Sequence, residues 1–254
     1  AAVRILQQQG FAVAGAVVRL TDADDTVQAA KDAAKALGIE CVTLNASELA
    51  SQLAEEALPS DLRFPALLAA ADRLGIQVTN AADANSGSVA EFTLGLILSL
   101  AKKLPQSRDG LRKEGWSIRP QISTFDLEGK TLGVLGMGRI GTAVARKASY
   151  GFGMKVLGYR RNLPGDICAD YGILTSDLDK VIRNSDFLSI HLPYTKDTFH
   201  LVSREKLELM KPDAYLLNLG RGEVVDQAAL RELLLSNRLA GAALDVFEGE
   251  IPDA

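Results

Sequence analysis

Lys130-Thr131-Leu132-Gly133-Val134-Leu135-Gly136-Met137-Gly138-Arg139-Ile140-Gly141 is the stretch on which the reading of this chain turns. Its apolar start suits a buried strand. Three glycines then follow at the spacing G-x-G-x-x-G, and Thr142 to Lys147 continues as a helix former. Each glycine has a physical task. Gly136 permits a tight turn, Gly138 lets backbone approach a pyrophosphate, and Gly141 lets the new helix pack on the strand. The helix start, at Arg139 and Ile140, turns backbone N–H groups and the positive end of its dipole toward phosphates.

Outward from this turn the pattern repeats. Lys155 to Tyr159 reads as a second strand after one helix, and Leu188 to Leu192, Ala214 to Asn218 and Gly241 to Val246 supply more. Helical segments between them predict an α/β protein with a Rossmann-type, doubly wound parallel sheet. Upstream, Val89 to Lys103 predicts a long apolar helix capped by Asn85-Ser86-Gly87-Ser88, while Arg108 to Arg119 reads as a polar excursion. Residues 1–58 read as a smaller α/β unit: strand Val13 to Leu20, helix Val27 to Leu37 stopped by Gly38, strand Ile39 to Leu44, and helix Ser47 to Leu58. A joint at Pro59 to Pro65, a helix at Ala66 to Leu74 and a strand at Ile76 to Asn80 follow. The expected division is a small, incomplete α/β domain over 1–85 and a dinucleotide-binding domain over 86–254.

Composition narrows the classes. The 254 residues are 47% hydrophobic and 24% charged, with a net charge of −4, so neither nucleic acid nor an anionic membrane is an expected partner. Cys41 and Cys168 have no metal or redox spacing. No metal is expected. Without a spanning run or signal-peptide pattern, the expected location is the cytoplasm.

Four stretches taken together resemble the D-isomer-specific 2-hydroxyacid dehydrogenases over about residues 66–254. They are Gly75 to Asn80 with Asn85 and Ser88-Val89-Ala90-Glu91; the glycine fingerprint; His191-Leu192-Pro193-Tyr194-Thr195 with Thr198; and Asn218-Leu219-Gly220-Arg221-Gly222 through to Asp245-Val246-Phe247-Glu248-Gly249-Glu250. The resemblance implies hydride transfer between a nicotinamide and a small 2-hydroxy or 2-keto acid such as glyoxylate, hydroxypyruvate or phosphoglycerate. It implies that Arg221 grips the substrate carboxylate, a task for which a planar guanidinium is suited. Glu250 matches the carboxylate that orients a catalytic histidine, and Asp245 the residue near the nicotinamide carboxamide. His191, Leu192, Pro193, Thr198, Leu219 and Gly220 fall on the cofactor side, and a homodimer is implied.

The same resemblance places the catalytic histidine beyond residue 254. His191 and His200 read as structural. The substrate-binding glycine loop expected before Ala66 reads Ser60-Asp61-Leu62-Arg63-Phe64-Pro65 instead. The expectation is therefore an NAD(P)-dependent oxidoreductase, truncated or chimeric and catalytically impaired as it stands. The alternative is a dinucleotide-binding regulatory or interaction module without turnover. Separately, Leu6 to Ile39 resembles part of the tRNA-thiolating PP-loop ATPases, without their S-G-G-x-D-S phosphate loop; this bears on the origin of the segment and implies no activity.

The second strand ends in Tyr159-Arg160-Arg161-Asn162, with no carboxylate before Asp166. An acid here holds the ribose hydroxyls of NAD and repels a 2′-phosphate, whereas two guanidiniums attract one. NADP(H) is the favoured cofactor, with NAD(H) the other candidate.

Overall fold

The computed structural model describes residues 2–19, 26–45 and 84–249. The chain divides into two compact units, Ala1–Asn80 and Ala81–Ala254.

In the first unit α1 (Ala2–Gln8) precedes β1 (Ala14–Arg19), α2 (Thr26–Leu37) and β2 (Glu40–Asn45). β1 and β2 run parallel, with Ala14 opposite Glu40 and Arg19 opposite Asn45. Val18 on β1 and Ala34 on α2 are buried. Gly38, at φ +67°, ends α2 as expected. The α1 helix had no clear signal in its glutamine-rich sequence. The capping turn at Thr21 to Asp25, the helix at Ser47 to Leu58, the joint at Pro59 to Pro65, the helix at Ala66 to Leu74 and the strand at Ile76 to Asn80 lie outside the described residues.

The second unit opens with α3 (Ser86–Ala101) and α4 (Leu104–Glu114), followed by a 3-10 turn at Gly115–Gln121. Asn85 stands at the start of α3 but its side chain makes no cap bond, contrary to the expected cap. The polar excursion, Arg108 to Arg119, runs through the later part of α4 and into the 3-10 turn, and neither element has a buried residue. Then come β3 (Thr131–Leu135), α5 (Arg139–Phe152), β4 (Lys155–Tyr159), β5 (Ile167–Ala169), β6 (Gly172–Thr175) and α6 (Leu178–Asn184). The chain continues through β7 (Phe187–Ile190), α7 (Arg204–Leu207), β8 (Tyr215–Asn218), α8 (Gln227–Leu235) and β9 (Gly241–Leu244).

These seven strands form one sheet in the order β5-β6-β4-β3-β7-β8-β9, parallel except for β5 against β6. From β3 the chain builds outward to β5 and then returns to lay β7 on the other side of β3. That reversal opens a crevice between the carboxyl ends of β3 and β7, where open parallel sheets bind ligands. Alternation along the strands feeds two cores. Leu188, Ile190 and Leu216 pack with Val181, Ile182 and Leu230 on one face; Leu132, Val134 and Leu217 pack with Ile97, Val144 and Ala148 on the other. Phe187 stacks on Tyr215 at 5.2 Å between ring centres. Asp186 fixes the start of this sheet: its carboxylate accepts from the Thr131 N–H and from Lys211, both at 2.7 Å. Those two donors outweigh burial and hold its pKa below the usual carboxylate value.

Candidate dinucleotide site

The crevice is built on three consecutive exits from the sheet. At the end of β3, Gly136 adopts φ +100°, and a Cβ there would lie 2.8 Å from the His191 carbonyl oxygen. A Cβ on Gly141 would reach within 2.1 Å of the Gly136 carbonyl oxygen and 3.1 Å of Val134. The first and third glycines thus let turn, helix and neighbouring strand close on one another. Gly138 differs, since no atom lies within 4 Å of its missing side chain. It stands at the entry to α5 and leaves open space where the N–H groups of Arg139 and Ile140 begin the helix.

Two concavities flank this turn. One, of about 320 Å³, is lined by Gly136, Gly138, Tyr159, Arg160, Arg161, Leu192, Pro193 and Thr198, all expected from sequence. Met137, Asn162, Thr195, Asp197 and Leu201 complete it. Asp197 had no signal of its own, because its place depends on how the segment after β7 folds back. The other, of about 340 Å³, is lined by Gly136, Gly138, Arg139, Ile140, Gly141 and His191, with Asn85 and Ser86 at the start of α3. The cradle fits a dinucleotide: space opens beside Gly138, and the hydroxyl and guanidinium side chains lie at the end where ribose is held.

Thr198 shapes the far wall. Its hydroxyl accepts from the Thr195 N–H at 2.7 Å and donates to the Pro193 carbonyl at 2.7 Å, so Pro193 to Thr198 is held as one tight turn. His191 sits at the crevice floor. The residue is half-buried, but Nδ1 is sealed from solvent without a partner, while Nε2 meets the Ser189 hydroxyl at 2.9 Å. Burial pushes its pKa down to about 4, so the ring is neutral at pH 7.

At the next exit, Asn218 is 1% exposed and uses both ends of its amide. Oδ1 accepts from the Gly220 N–H at 3.1 Å, and Nδ2 donates to the Arg221 carbonyl at 2.9 Å. This braces Leu219-Gly220-Arg221 into a turn and leaves the Arg221 side chain exposed, with Nη1 donating to the Gly220 carbonyl at 2.8 Å. Asp245, just past β9, donates its N–H to the Asn218 carbonyl at 3.0 Å. Leu219, Gly220, Arg221 and Asp245 therefore gather around Asn218 and line neither concavity. In the sequence Asn218 stands only as the lead-in to Leu219-Gly220-Arg221, although it holds this cluster together. Glu250 lies outside the described residues.

His200 takes φ +45°, stacks on Phe199, and places Nε2 2.8 Å from the Glu248 carboxylate. Among the described residues there is no cluster suited to a metal ion, and no helix is long and apolar enough to cross a membrane.

The family model for the D-isomer specific 2-hydroxyacid dehydrogenase NAD binding domain matches residues 94–254. The chain belongs to that family. The chain is 42% identical to D-3-phosphoglycerate dehydrogenase of Methanocaldococcus jannaschii over 184 residues, 72% of the chain and 35% of the relative. It is 42% identical to glyoxylate reductase of Aeropyrum pernix over 186 residues, 71% of the chain and 55% of the relative. The chain thus spans only about a third to a half of these curated relatives. Among solved structures, the D-isomer specific 2-hydroxyacid dehydrogenase of Xanthobacter autotrophicus Py2 in complex with NADPH and MES is 30% identical. It aligns with a TM-score of 0.61 over 73% of the chain and 76% of that structure. A 2-hydroxyacid dehydrogenase domain for NAD or NADP accounts for the glycine turn, the reversal of strand order and the ribose-end pocket alike.

Proposed function

We propose that this chain is the cofactor-holding part of a dehydrogenase that interconverts small 2-hydroxy and 2-keto acids, with NADP(H) preferred to NAD(H). Residues 86–254 form its dinucleotide domain and residues 1–85 belong to the substrate side. The observation that carries the reading is the alignment of the Gly136, His191 and Arg221 exits on the adjacent strands β3, β7 and β8. The nicotinamide, when bound, supplies or accepts the hydride. Gly138, Arg139 and Ile140 bind the pyrophosphate through backbone N–H groups. Leu192, Pro193 and Thr198 wall the adenosine side, and Asp245 stands toward the carboxamide. Arg221, steadied by Asn218, holds the substrate carboxylate and draws electron density from the carbonyl as charge develops there. Glu250 orients the acid–base group.

The preference for NADP(H) rests on Arg160 and Arg161 at the end of β4, where a carboxylate would favour NAD. A homodimer through α3 and α4 and a cytoplasmic location complete the proposal. A dinucleotide module without turnover is the second reading. In its favour, burial pushes the pKa of His191 down to about 4, too weak for a base at pH 7, and His200 lines neither concavity.

Calorimetric titration of NADPH and NADH, followed by assay of glyoxylate and hydroxypyruvate reduction, separates these readings. Binding with turnover that Arg221→Gln abolishes supports the dehydrogenase. Binding without turnover, both in this chain and with a segment carrying the catalytic histidine appended after residue 254, supports the second reading, and failure to bind either dinucleotide sinks both.

A further inference from the structure

Arg161 and Asp197 face each other across the mouth of the ribose-end pocket, with Nη1 2.6 Å from Oδ2. They come from different elements, the loop after β4 and the 3-10 turn Lys196–Thr198. The neighbouring Arg160 lines the same pocket, and its side chain has no ion-pair or hydrogen-bond partner among the described residues. The two arginines are therefore unequal: one is already matched by a carboxylate and the other is not.

Asp197 is held where it is. The bonds of Thr198 to the Thr195 N–H and the Pro193 carbonyl lock the turn that carries it, and Thr198 is buried. The ion pair itself is loose, since the side chains of Arg161 and Asp197 are 59% and 69% exposed, and exposed pairs exchange readily for a better partner. The loop after β4 has no carboxylate before Asp166, which pairs with Lys180 and does not line the pocket, yet the fold brings an acid into the pocket from the opposite wall.

We infer that Asp197 is the specificity-determining residue for the 2′-substituent of the cofactor. It accepts the ribose 2′-hydroxyl of NAD(H), and against NADP(H) it repels the 2′-phosphate and competes with it for Arg161. The inference rests on the proposed dinucleotide site and deepens its cofactor preference. Asp197 tempers the preference that Arg160 and Arg161 create, so the site accepts both dinucleotides.

Dissociation constants for NADPH, NADH, 2′,5′-ADP and 5′-AMP, measured on the wild-type chain, Asp197→Asn and Arg160→Gln, test this. Asp197→Asn is expected to shift the NADPH-to-NADH affinity ratio about fivefold toward NADPH, and the ADP-to-AMP ratio in the same direction, as suits loss of one exposed charge contact. Ratios unchanged within about twofold, or shifted toward NADH, overturn the inference. Arg160→Gln reports on the NADP(H) reading separately: if it leaves NADPH affinity unchanged and the wild-type chain prefers NADH, that reading fails whatever Asp197→Asn does. The two short nucleotides carry no nicotinamide, so their shift assigns the effect to the ribose end.

Discussion

The imidazole of His200 and the carboxylate of Glu248 stand 2.8 Å apart, tying the segment beyond β9 to the turn ahead of α7. Two backbone links run beside this contact. The His200 N–H donates to the Glu223 carbonyl at 2.8 Å, and the Glu248 N–H donates to the Gln227 side chain at 2.9 Å. The imidazole–carboxylate pair thus braces the ground behind Arg221. Because His200 holds a left-handed φ, His200→Asn is the cleaner substitution, as asparagine tolerates that conformation. It is expected to cost about 0.2–1 kcal/mol, given the partial exposure of both side chains, and to speed amide exchange at Val246 to Gly249. Unaltered exchange there means that the pair does not hold the segment.

The buried ring of His191 makes stability depend on pH. Its pKa is pushed down to about 4 in the folded chain, against about 6.5 when unfolded. Between those values the unfolded state binds more protons, so folding weakens as pH falls from 6.5 toward 4. The loss attributable to His191 is about 2–3 kcal/mol at pH 4.5 relative to pH 7. Urea unfolding at the two pH values is expected to show a difference smaller by that amount in His191→Asn. The comparison needs the variant because Asp186, whose pKa is lowered, weakens folding in acid as well. Equal pH dependence in both proteins rules out a buried neutral imidazole.

The glycine fingerprint separates folding from binding. Gly138→Ala adds a methyl group into open space, so the fold is expected to hold its melting temperature. Dinucleotide affinity is expected to fall at least about tenfold as the methyl group enters the space beside the pyrophosphate. Gly141→Ala drives its methyl into the Gly136 carbonyl oxygen and is expected to destabilise by at least about 2 kcal/mol. Thermal melts and calorimetric titration of the two variants check this. Normal stability in Gly141→Ala contradicts the close helix–strand contact.

The parallel sheet was legible because its strands are buried on both faces and read as unbroken apolar runs, as in Leu216-Leu217 of β8 and Phe187-Leu188 of β7. Their predicted limits ran long, since Leu192 and Val246 carry apolar character past the last ladder bond into the site loops. β5 and β6 escaped notice for the opposite reason: they are short, and Ile167, Cys168 and Ile173 are exposed at the sheet edge. Within the site, glycines and Arg160 announce themselves through local spacing. Asn218 and Asp197 do not, because their roles come from loops that meet only after folding.

Asn218 is expected to govern Arg221 without touching a ligand. Asn218→Asp keeps the acceptor for the Gly220 N–H but loses the donor to the Arg221 carbonyl and sets two oxygens against each other. A cost of about 1–3 kcal/mol follows from leaving buried polar atoms unmatched. Denaturant unfolding measures it. A change below about 0.5 kcal/mol would falsify the brace.

The last expectation concerns self-association. Phe92 on α3, Leu104 and Leu111 on α4, and Trp116 in the following turn are 49%, 53%, 47% and 69% exposed. Leu104 and Leu111 are seven residues apart and share one face of α4, a helix with no buried residue. Apolar side chains this large, clustered in one segment, suit a surface for a second copy of the chain. Because closed pairs of identical chains are the commonest solution, a twofold dimer is the expected assembly. Light scattering at about 10 μM is expected to give a dimer mass for the wild-type chain and a monomer mass for Leu111→Asp combined with Trp116→Ser, since a buried unpaired carboxylate opposes association. Dinucleotide affinity is expected to survive in the double variant, because the glycine turn lies outside the substituted segment. A monomeric wild-type chain, or a double variant that remains dimeric, assigns this exposed surface to something other than a second copy.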